Sequence, residues 1–461
     1  MTQVEQFPPG PLIAWYGDDY TGAAAVMEVL SFAGLPSILF LDPPTPEQLA
    51  RFGQMRGIGI AGTARSENPQ WMQAELPRMF ASLRKTGAPL LHYKICSTLD
   101  SAPDIGSIGA AMEIAVATLG TRLMPVYPAA IPLKRYQAFG SLFAAAPDGV
   151  FRLDRHPVMA RHPVTPMDEA DVVQHLARQT RLPIETLRLD QLHQGQADAV
   201  LAAAEREGGA GIALDSVSEA DQREIGRILW QRRNTDMMCF GSQGIEYALI
   251  AHWRAAGMIP PVAPRPSAGD LGPIAVVSAS VSPVTAQQIA NAAASGFRLI
   301  EGDPRHLASD NASAAEETVV TEMLEALSRG QDVLLATARG PDDPAVERFR
   351  TWLADNATAA AGANRNIGKA LGRILHRVVT RSGLRRAVIS GGDTSGHAAR
   401  ELGVTALQAL APTVPGASIS VARSEDPQID GLQLALKGGQ MGTVDFFSWV
   451  RAGGGVDGKL R

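Results

Sequence analysis

Cysteine is almost absent from this chain: Cys96 and Cys239 are the only two in 461 residues. Two thiols cannot make a disulfide framework, nor a four-ligand zinc site on their own. They suit a reducing compartment, so the cytoplasm is the expected location. Aromatic residues are scarce, at 5%. No apolar run approaches the about 18 residues that a membrane-spanning helix needs, so no membrane partner is expected. The first residues carry no basic stretch leading into a long apolar one, so a secretion signal is not expected either. The Asn-X-Ser/Thr matches Asn311-Ala312-Ser313 and Asn356-Ala357-Thr358 are then chance occurrences. Positive charge is not in excess. A net charge of −5 offers no basic field for nucleic acid. His156 and His162, with Arg161 between them, are six apart and fit no standard metal pattern. They read as surface or lid residues.

What the chain has is 45 glycines, 45% hydrophobic residues and a strand–helix rhythm. Its length favours two or three domains. Strands are expected at Leu12–Tyr16, Ser37–Leu41, Gly57–Ala61, Leu90–Cys96 and Leu123–Tyr127. Helices are expected at Ala23–Phe32, Trp71–Leu83 and Ile108–Leu119, the second kinked at Pro77 or starting there. A hairpin or lid is expected over 138–165, then a helix start at Thr165-Pro166-Met167-Asp168. Gly211–Asp215 and Glu219–Trp230 read as another strand and helix. Residues 256–272, rich in Pro, Gly and Ala, have the composition of a linker. The rhythm then restarts, with strands at Pro273–Ser278, Arg298–Glu301, Asp332–Ala338 and Arg386–Ser390. Helices follow at Pro283–Ala294, Ala315–Ser328, Ala345–Leu353, Gly368–Arg381 and Ser395–Leu402, and the tail Gly453–Arg461 should fray. Alternation of this kind implies βαβ crossovers and an α/β fold with largely parallel sheets. The expected domains are 1–255 and 273–461.

Two motifs are decoys. Gly57-Ile58-Gly59-Ile60-Ala61-Gly62 matches a dinucleotide fingerprint, but its glycines lie inside a strand and no acidic residue follows about 20 positions on. A glycine-thinned strand is the better reading. Gly362 to Gly368-Lys369-Ala370 mimics a P-loop, with one residue too many and Ala370 where a magnesium-holding hydroxyl should be. A stronger case is Ser390-Gly391-Gly392-Asp393-Thr394-Ser395-Gly396, a glycine-rich turn between strand and helix that suits phosphate. Lys437-Gly438-Gly439-Gln440-Met441-Gly442 repeats the pattern, before a helix near Thr443. Ser278-Ala279-Ser280-Val281-Ser282-Pro283 is a third such loop, in which Ser282 could equally be an N-cap. At the C-terminal edge of one sheet the three could form a single nucleotide cleft.

In the first half, Asp18 and Asp19 follow the first strand. Adjacent carboxylates there can bind hydroxyls, hold a metal or act as a base, or Asp19 or Thr21 can simply cap a helix. Arg65 and Lys94 end neighbouring strands and should project near the same edge. Two cations and a carboxylate pair suit a small polyhydroxy acid. Cys96 has no histidine immediately beside it on which to base a pair and reads as a buried small residue rather than a nucleophile.

These marks together resemble the four-carbon acid sugar kinase family. They are Gly17-Asp18-Asp19-Tyr20-Thr21-Gly22-Ala23, Arg65-Ser66, Lys94 to Ser101, His162 to Met167, Ser280-Val281-Ser282 with Thr285 and Gln288, Gly391 to Gly396, and Leu436-Lys437-Gly438-Gly439 with Asp445-Phe446-Phe447. The resemblance implies an N-terminal sugar-acid domain and a C-terminal nucleotide domain with an active-site cleft between them. It implies ATP, with Mg2+ accompanying it, and a threonate, erythronate or 3-oxo-tetronate type of substrate. Ser280, Ser282, Gly391, Gly392, Asp393, Thr394, Gly438 and Gly439 are the implied ATP contacts. Arg65, Lys94, Ser97, Asp100 and Arg135 are the substrate-side candidates, with Asp19 as base and Asp18 in reserve. Residues 100–109, Pro132-Leu133-Lys134-Arg135 and Ala64 depart from the commonest pattern, all on the substrate side. A related branch acting on a branched acid such as 3-oxo-isoapionate therefore stays open. A non-catalytic sensor of the same ligands is the competing class, and a nicotinamide oxidoreductase is nearly excluded. Metal ligands are not identifiable from the sequence, and a homo-oligomer stays open.

Overall fold

The computed structural model describes residues 5–162, 164–207, 210–233, 236–309, 313–356 and 362–455. The two Asn-X-Ser/Thr matches lie partly outside the described residues, as do Pro163 and the tail from 456. The chain divides into two compact units, Met1–Ile38 with Asp42–Val262, and Leu39–Leu41 with Ala263–Arg461.

The first unit contains β1 (Ile13–Gly17), the start of β2 (Ser37–Phe40; its Leu39 and Phe40 count with the second unit), β3 (Gly57–Ala61), β4 (Leu90–Lys94), β5 (Leu123–Tyr127), β6 (Arg135–Ala138), β7 (Ser141–Ala146), β8 (Gly149–Arg152), β9 (Ile184–Leu187), β10 (Ala210–Leu214) and β11 (Met238–Gly241). Its main sheet runs β2-β3-β1-β4-β11-β5-β10-β9. From β3 to β9 every neighbouring pair is parallel. β1, β3, β4, β5 and β11 consist almost wholly of buried residues, as strands covered on both faces require. The glycines of β3 make room rather than bind a nucleotide: a Cβ on Gly59 would overlap the Trp15 indole, and one on Gly57 would stand against Ser37 and Leu30.

Local expectations are narrowed or corrected. The helix Pro69–Lys85 runs through Pro77 and starts eight residues before it, so of the two readings the start at Pro77 is excluded. Asn68 caps it by accepting from the Trp71 N–H at 2.9 Å, and Pro69 occupies its first turn. No helix starts at Thr165. The Thr165 N–H and hydroxyl are both held by His162 Nδ1, and the Met167 N–H is spent on the Met159 carbonyl. The helix begins at Val172, capped by Asp171. In the region 138–165 the expected hairpin is present as β7-β8, and β6 adds a third antiparallel strand beside β7.

The second unit contains β12 (Ala275–Ser278), β13 (Arg298–Glu301), β14 (Val333–Ala336), β15 (Arg386–Ser390), β16 (Ala406–Ala411), β17 (Ile419–Arg423) and β18 (Gln433–Lys437). The order is β13-β14-β12-β15-β18-β17-β16. The first five are parallel, and β17 and β16 are antiparallel additions that sequence periodicity did not reveal. The P-loop mimic is the start of a 20-residue helix, Ala363–Ser382. Gly368 lets that helix pack on the helix Asp393–Glu401, since its Cβ would sit 3.0 Å from that of His397. The last helix starts at Phe446, three residues later than expected. Gly454 and Gly455 do not fray: their N–H groups bond to Trp449 O (2.9 Å) and Pro412 O (2.6 Å).

Candidate active site

Strand register explains how distant residues meet. Gly17 of β1 is level with Ala61 of β3 and Lys94 of β4. The next residues of each strand therefore leave the sheet at one edge, the carboxyl edge where open α/β sheets bind ligands.

At that edge Arg65 clamps both aspartates. Its Nη2 lies 2.6 Å from Asp18 Oδ1 and 2.7 Å from Asp19 Oδ1, and its Nε donates to Asp18 Oδ2 at 3.2 Å. The two carboxylates differ in surroundings. The Asp18 side chain is 3% exposed; burial pushes its carboxyl above the ordinary value, and the opposing Arg65 charge does not cancel this. Asp19 caps the helix Tyr20–Phe32, accepting from the Gly22 N–H (3.1 Å) and the Thr21 hydroxyl (2.6 Å). Burial would raise its carboxyl too, but Arg65, Lys94 and these two hydrogen bonds hold it below the usual range. Its side chain is 16% exposed. Asp19 is thus both the helix cap and the more accessible carboxylate.

Lys94 is buried and spends one of its three donors on Ile95 O (2.6 Å). Asp19 and Lys94 flank Gly22, where any Cβ would crowd both. Ser97 lies half-buried in the turn after β4. Asp100 accepts from the Thr98 hydroxyl at 2.7 Å. Arg135 donates to three backbone carbonyls through Nη1, while its Nε is buried without a partner. Burial lowers its pKa, and the nearby Asp100 charge partly offsets that. All the substrate-side candidates thus lie in the first unit around one edge. Cys96 sits among them, its thiol pushed up to about 11 by burial, so it stays protonated.

Sequence reasoning missed what stands behind this edge. His175 is buried, with Nε2 2.9 Å from Ser101 Oγ and 3.0 Å from Gln179 Nε2. Leu99 adopts φ 53°, a left-handed conformation that turns Thr98 and Asp100 as they stand. Neither has a local sequence signal.

The second unit repeats the logic. Ser278, Ala336, Ser390 and Lys437 are level across four adjacent parallel strands. The loops that follow border one cavity of about 690 Å³. Ser280, Ser282, Gly392, Thr394 and Gly439 form its polar side, and Phe349, Val346 and Ile367 belong to its apolar side. The apolar side was not anticipated; the Asp343-Pro344 cap that opens the helix Pro344–Asp355 was the available signal. Ser282 caps the helix Pro283–Ala294 and also donates to Gly439 O. Gly391 touches Thr394 so closely that a Cβ would overlap its hydroxyl, whereas Gly392 faces open space. The Asp393 side chain lies outside the described residues, and the Gly438 carbonyl accepts from Lys437 Nζ at 2.9 Å.

Comparison with known proteins gives a consistent picture. Residues 13–249 match the sugar-binding N-terminal domain model, and residues 275–447 the nucleotide-binding C-terminal domain model. The chain is 45% identical over 454 residues to a 3-oxo-isoapionate kinase of Paraburkholderia graminis, covering 98% of this chain and 96% of that one. It is 31% identical to a 3-oxo-tetronate kinase of Pseudomonas fluorescens, over 95% of this chain and 96% of the relative. Among solved structures, a Salmonella typhimurium protein provisionally named a tRNA synthase superposes with a TM-score of 0.73 at 23% identity. It covers 95% of this chain and 98% of its own, and shows the shared fold.

Proposed function

The chain belongs to the four-carbon acid sugar kinase family, and on that premise we propose that it moves the γ-phosphoryl group of ATP to a hydroxyl of a branched 3-oxo sugar acid of the 3-oxo-isoapionate type. One observation carries the choice of substrate: 45% identity along nearly the whole chain to the kinase of that acid, against 31% to a kinase of the unbranched 3-oxo-tetronate. The departures at 100–109 and 132–135 lie on the substrate side and fit the same choice.

In this reading Lys94 and the outer face of Arg65 hold the acid's carboxylate, helped by Ser97 and Arg135, and Asp100 accepts from one of its hydroxyls. Asp19 accepts the hydroxyl proton. The hydroxyl oxygen bonds to the γ-phosphorus, the bond to the β-phosphate oxygen breaks, and ADP leaves. Asp19 is held below the usual carboxylate range, so it acts chiefly by orienting the hydroxyl and takes the proton late, as loose phosphoryl transfer allows. Asp18 keeps Arg65 in place. Ser280, Ser282, Gly391–Thr394 and Gly438–Gly439 receive the nucleotide.

Among the described residues no three His, Cys, Asp or Glu side chains converge as a metal site. Mg2+, when bound, would be held by the phosphates of the nucleotide and would supply neutralisation of their charge. No helix among the described residues is long and apolar enough to cross a membrane. An ATP-consuming enzyme with two free thiols belongs in the cytoplasm.

The test is ADP release across a panel of sugar acids. The branched 3-oxo acid should give a kcat/KM at least about tenfold above 3-oxo-tetronate, about 1.4 kcal/mol of discrimination. A reversed order would move the chain to the unbranched branch. Binding of both ligands with no ADP formed would make it a sensor.

A further inference from the structure

The loop after β18 has its carbonyls turned into the protein. Lys437 Nζ donates to Gly438 O (2.9 Å), Gly439 O (3.4 Å), Met441 O (3.3 Å) and Thr285 Oγ1 (3.1 Å). Ser282 Oγ and Thr285 Oγ1 both donate to Gly439 O, at 2.5 and 2.9 Å. Gln288 Nε2 donates to Met441 O and Thr443 O, each at 2.9 Å. A trans peptide points its N–H opposite to its C=O, and the described residues contain no cis peptide. The N–H groups of Gly439 and Gln440 therefore face away from Lys437. Both residues border the cavity. Neighbouring N–H groups turned the same way form a concave donor for an anion.

We propose that Lys437 is a positioning residue: its ammonium gathers the inward carbonyls and thereby aims the Gly439 and Gln440 N–H groups at a phosphate of the bound nucleotide. The proposal rests on the kinase reading of the second unit. Lys437 is fully buried, so it does not itself touch the nucleotide. The sequence motif contained this lysine, but only its glycines were assigned to the nucleotide. Burial alone brings its pKa down to about 8, with no charged neighbour contributing. The groups that meet it are the loop carbonyls and Thr285; Gln288 bonds the same Met441 carbonyl and Ser390 is level with Lys437 on β15, and none of these side chains titrates.

The experiment is steady-state kinetics and ATP titration on Lys437→Met, which keeps the length and removes the charge. KM and Kd for ATP should rise at least about tenfold, while KM for the sugar acid stays within about twofold. In the wild type, KM for ATP should also rise as pH passes above about 8, where the ammonium loses its proton, and this rise should vanish in the variant. A folded Lys437→Met with unchanged ATP affinity overturns the proposal. If Lys437→Met does not fold, Thr285→Val decides: it removes one carbonyl ligand and one ammonium acceptor. It should raise KM for ATP about three- to tenfold, and an unchanged value overturns the proposal. Wild-type protein that turns over no ATP with any sugar acid would instead defeat the kinase reading, a separate outcome.

Discussion

Asp18 and Asp19 are adjacent in sequence and unlike in chemistry, and the difference is one of contacts. Asp18 is covered and locked onto Arg65; Asp19 is the partly open helix cap. Asp19→Asn keeps the cap, because Asn serves as well as Asp at that position. It should lower kcat by about 10²–10⁴ with both ligands still bound, and a near-normal kcat would move the base to Asp18. Lys94→Met should raise KM for the acid about 10- to 100-fold through loss of a charge-assisted hydrogen bond, leaving KM for ATP unchanged; equal loss of both would place Lys94 elsewhere in the reaction. Arg65 is a poorer probe, because removing it strands the buried Asp18 carboxyl. His175 makes a different prediction. Burial brings its pKa from 6.5 down to about 4, with Arg178 adding to the effect, so the folded state holds it neutral. Such a group stabilises the fold above pH 6.5, and that contribution fades as pH falls from 6.5 towards 4. Between pH 7 and pH 5 the loss should be about 2 kcal/mol. Urea unfolding of wild type and His175→Gln at both pH values measures it: the variant should show a shallower pH dependence, and parallel slopes would refute the assignment.

The loops at strand ends carry the chemistry, and the glycines within elements carry the packing. The two kinds separate by what a side chain would meet. At Gly392 it meets open space beside the cavity. Gly392→Val should therefore fold normally and weaken ATP binding at least about tenfold, about 1.4 kcal/mol. Isothermal titration beside a melting curve checks both halves, and unchanged affinity would remove this loop from the nucleotide site. Gly57 and Gly59, which mimic a dinucleotide motif, face Ser37 and Trp15 instead. Both decoys were readable as decoys from their placement within a strand and a helix. The helix start expected at Thr165 was not readable, because its capping hydroxyl is claimed by His162 and its backbone by Met159. β16 and β17 escaped notice because short alanine-containing runs carry no clear period.

Across the whole chain, residues 256–272 show how composition and tertiary contact diverge. Ser267 donates to Ala452 O at 2.9 Å, Gly269 O accepts from Arg386 at 2.7 Å, and Asp270 pairs with Arg451. We propose that the working connection between the domains is the stretch 260–266. Limited proteolysis with a broad-specificity protease should cut there first and yield a C-terminal fragment that begins before Ser267; first cuts beyond 270 would contradict this. The sequence by itself determined the α/β class, the order of most strands and helices, and which loops hold small or charged residues. Those depend on local periodicity and turn chemistry, which a few neighbouring residues specify. Only the tertiary structure decided that Ser278, Ala336, Ser390 and Lys437 lie level, that Arg65 joins both aspartates, and that Lys437 gathers the carbonyls of its own loop. The first two depend on strand register between segments tens of residues apart, and register is settled by packing across the sheet, which no local stretch of chain contains; the third depends on Thr285 and Ser282, more than 150 residues earlier, meeting the same loop.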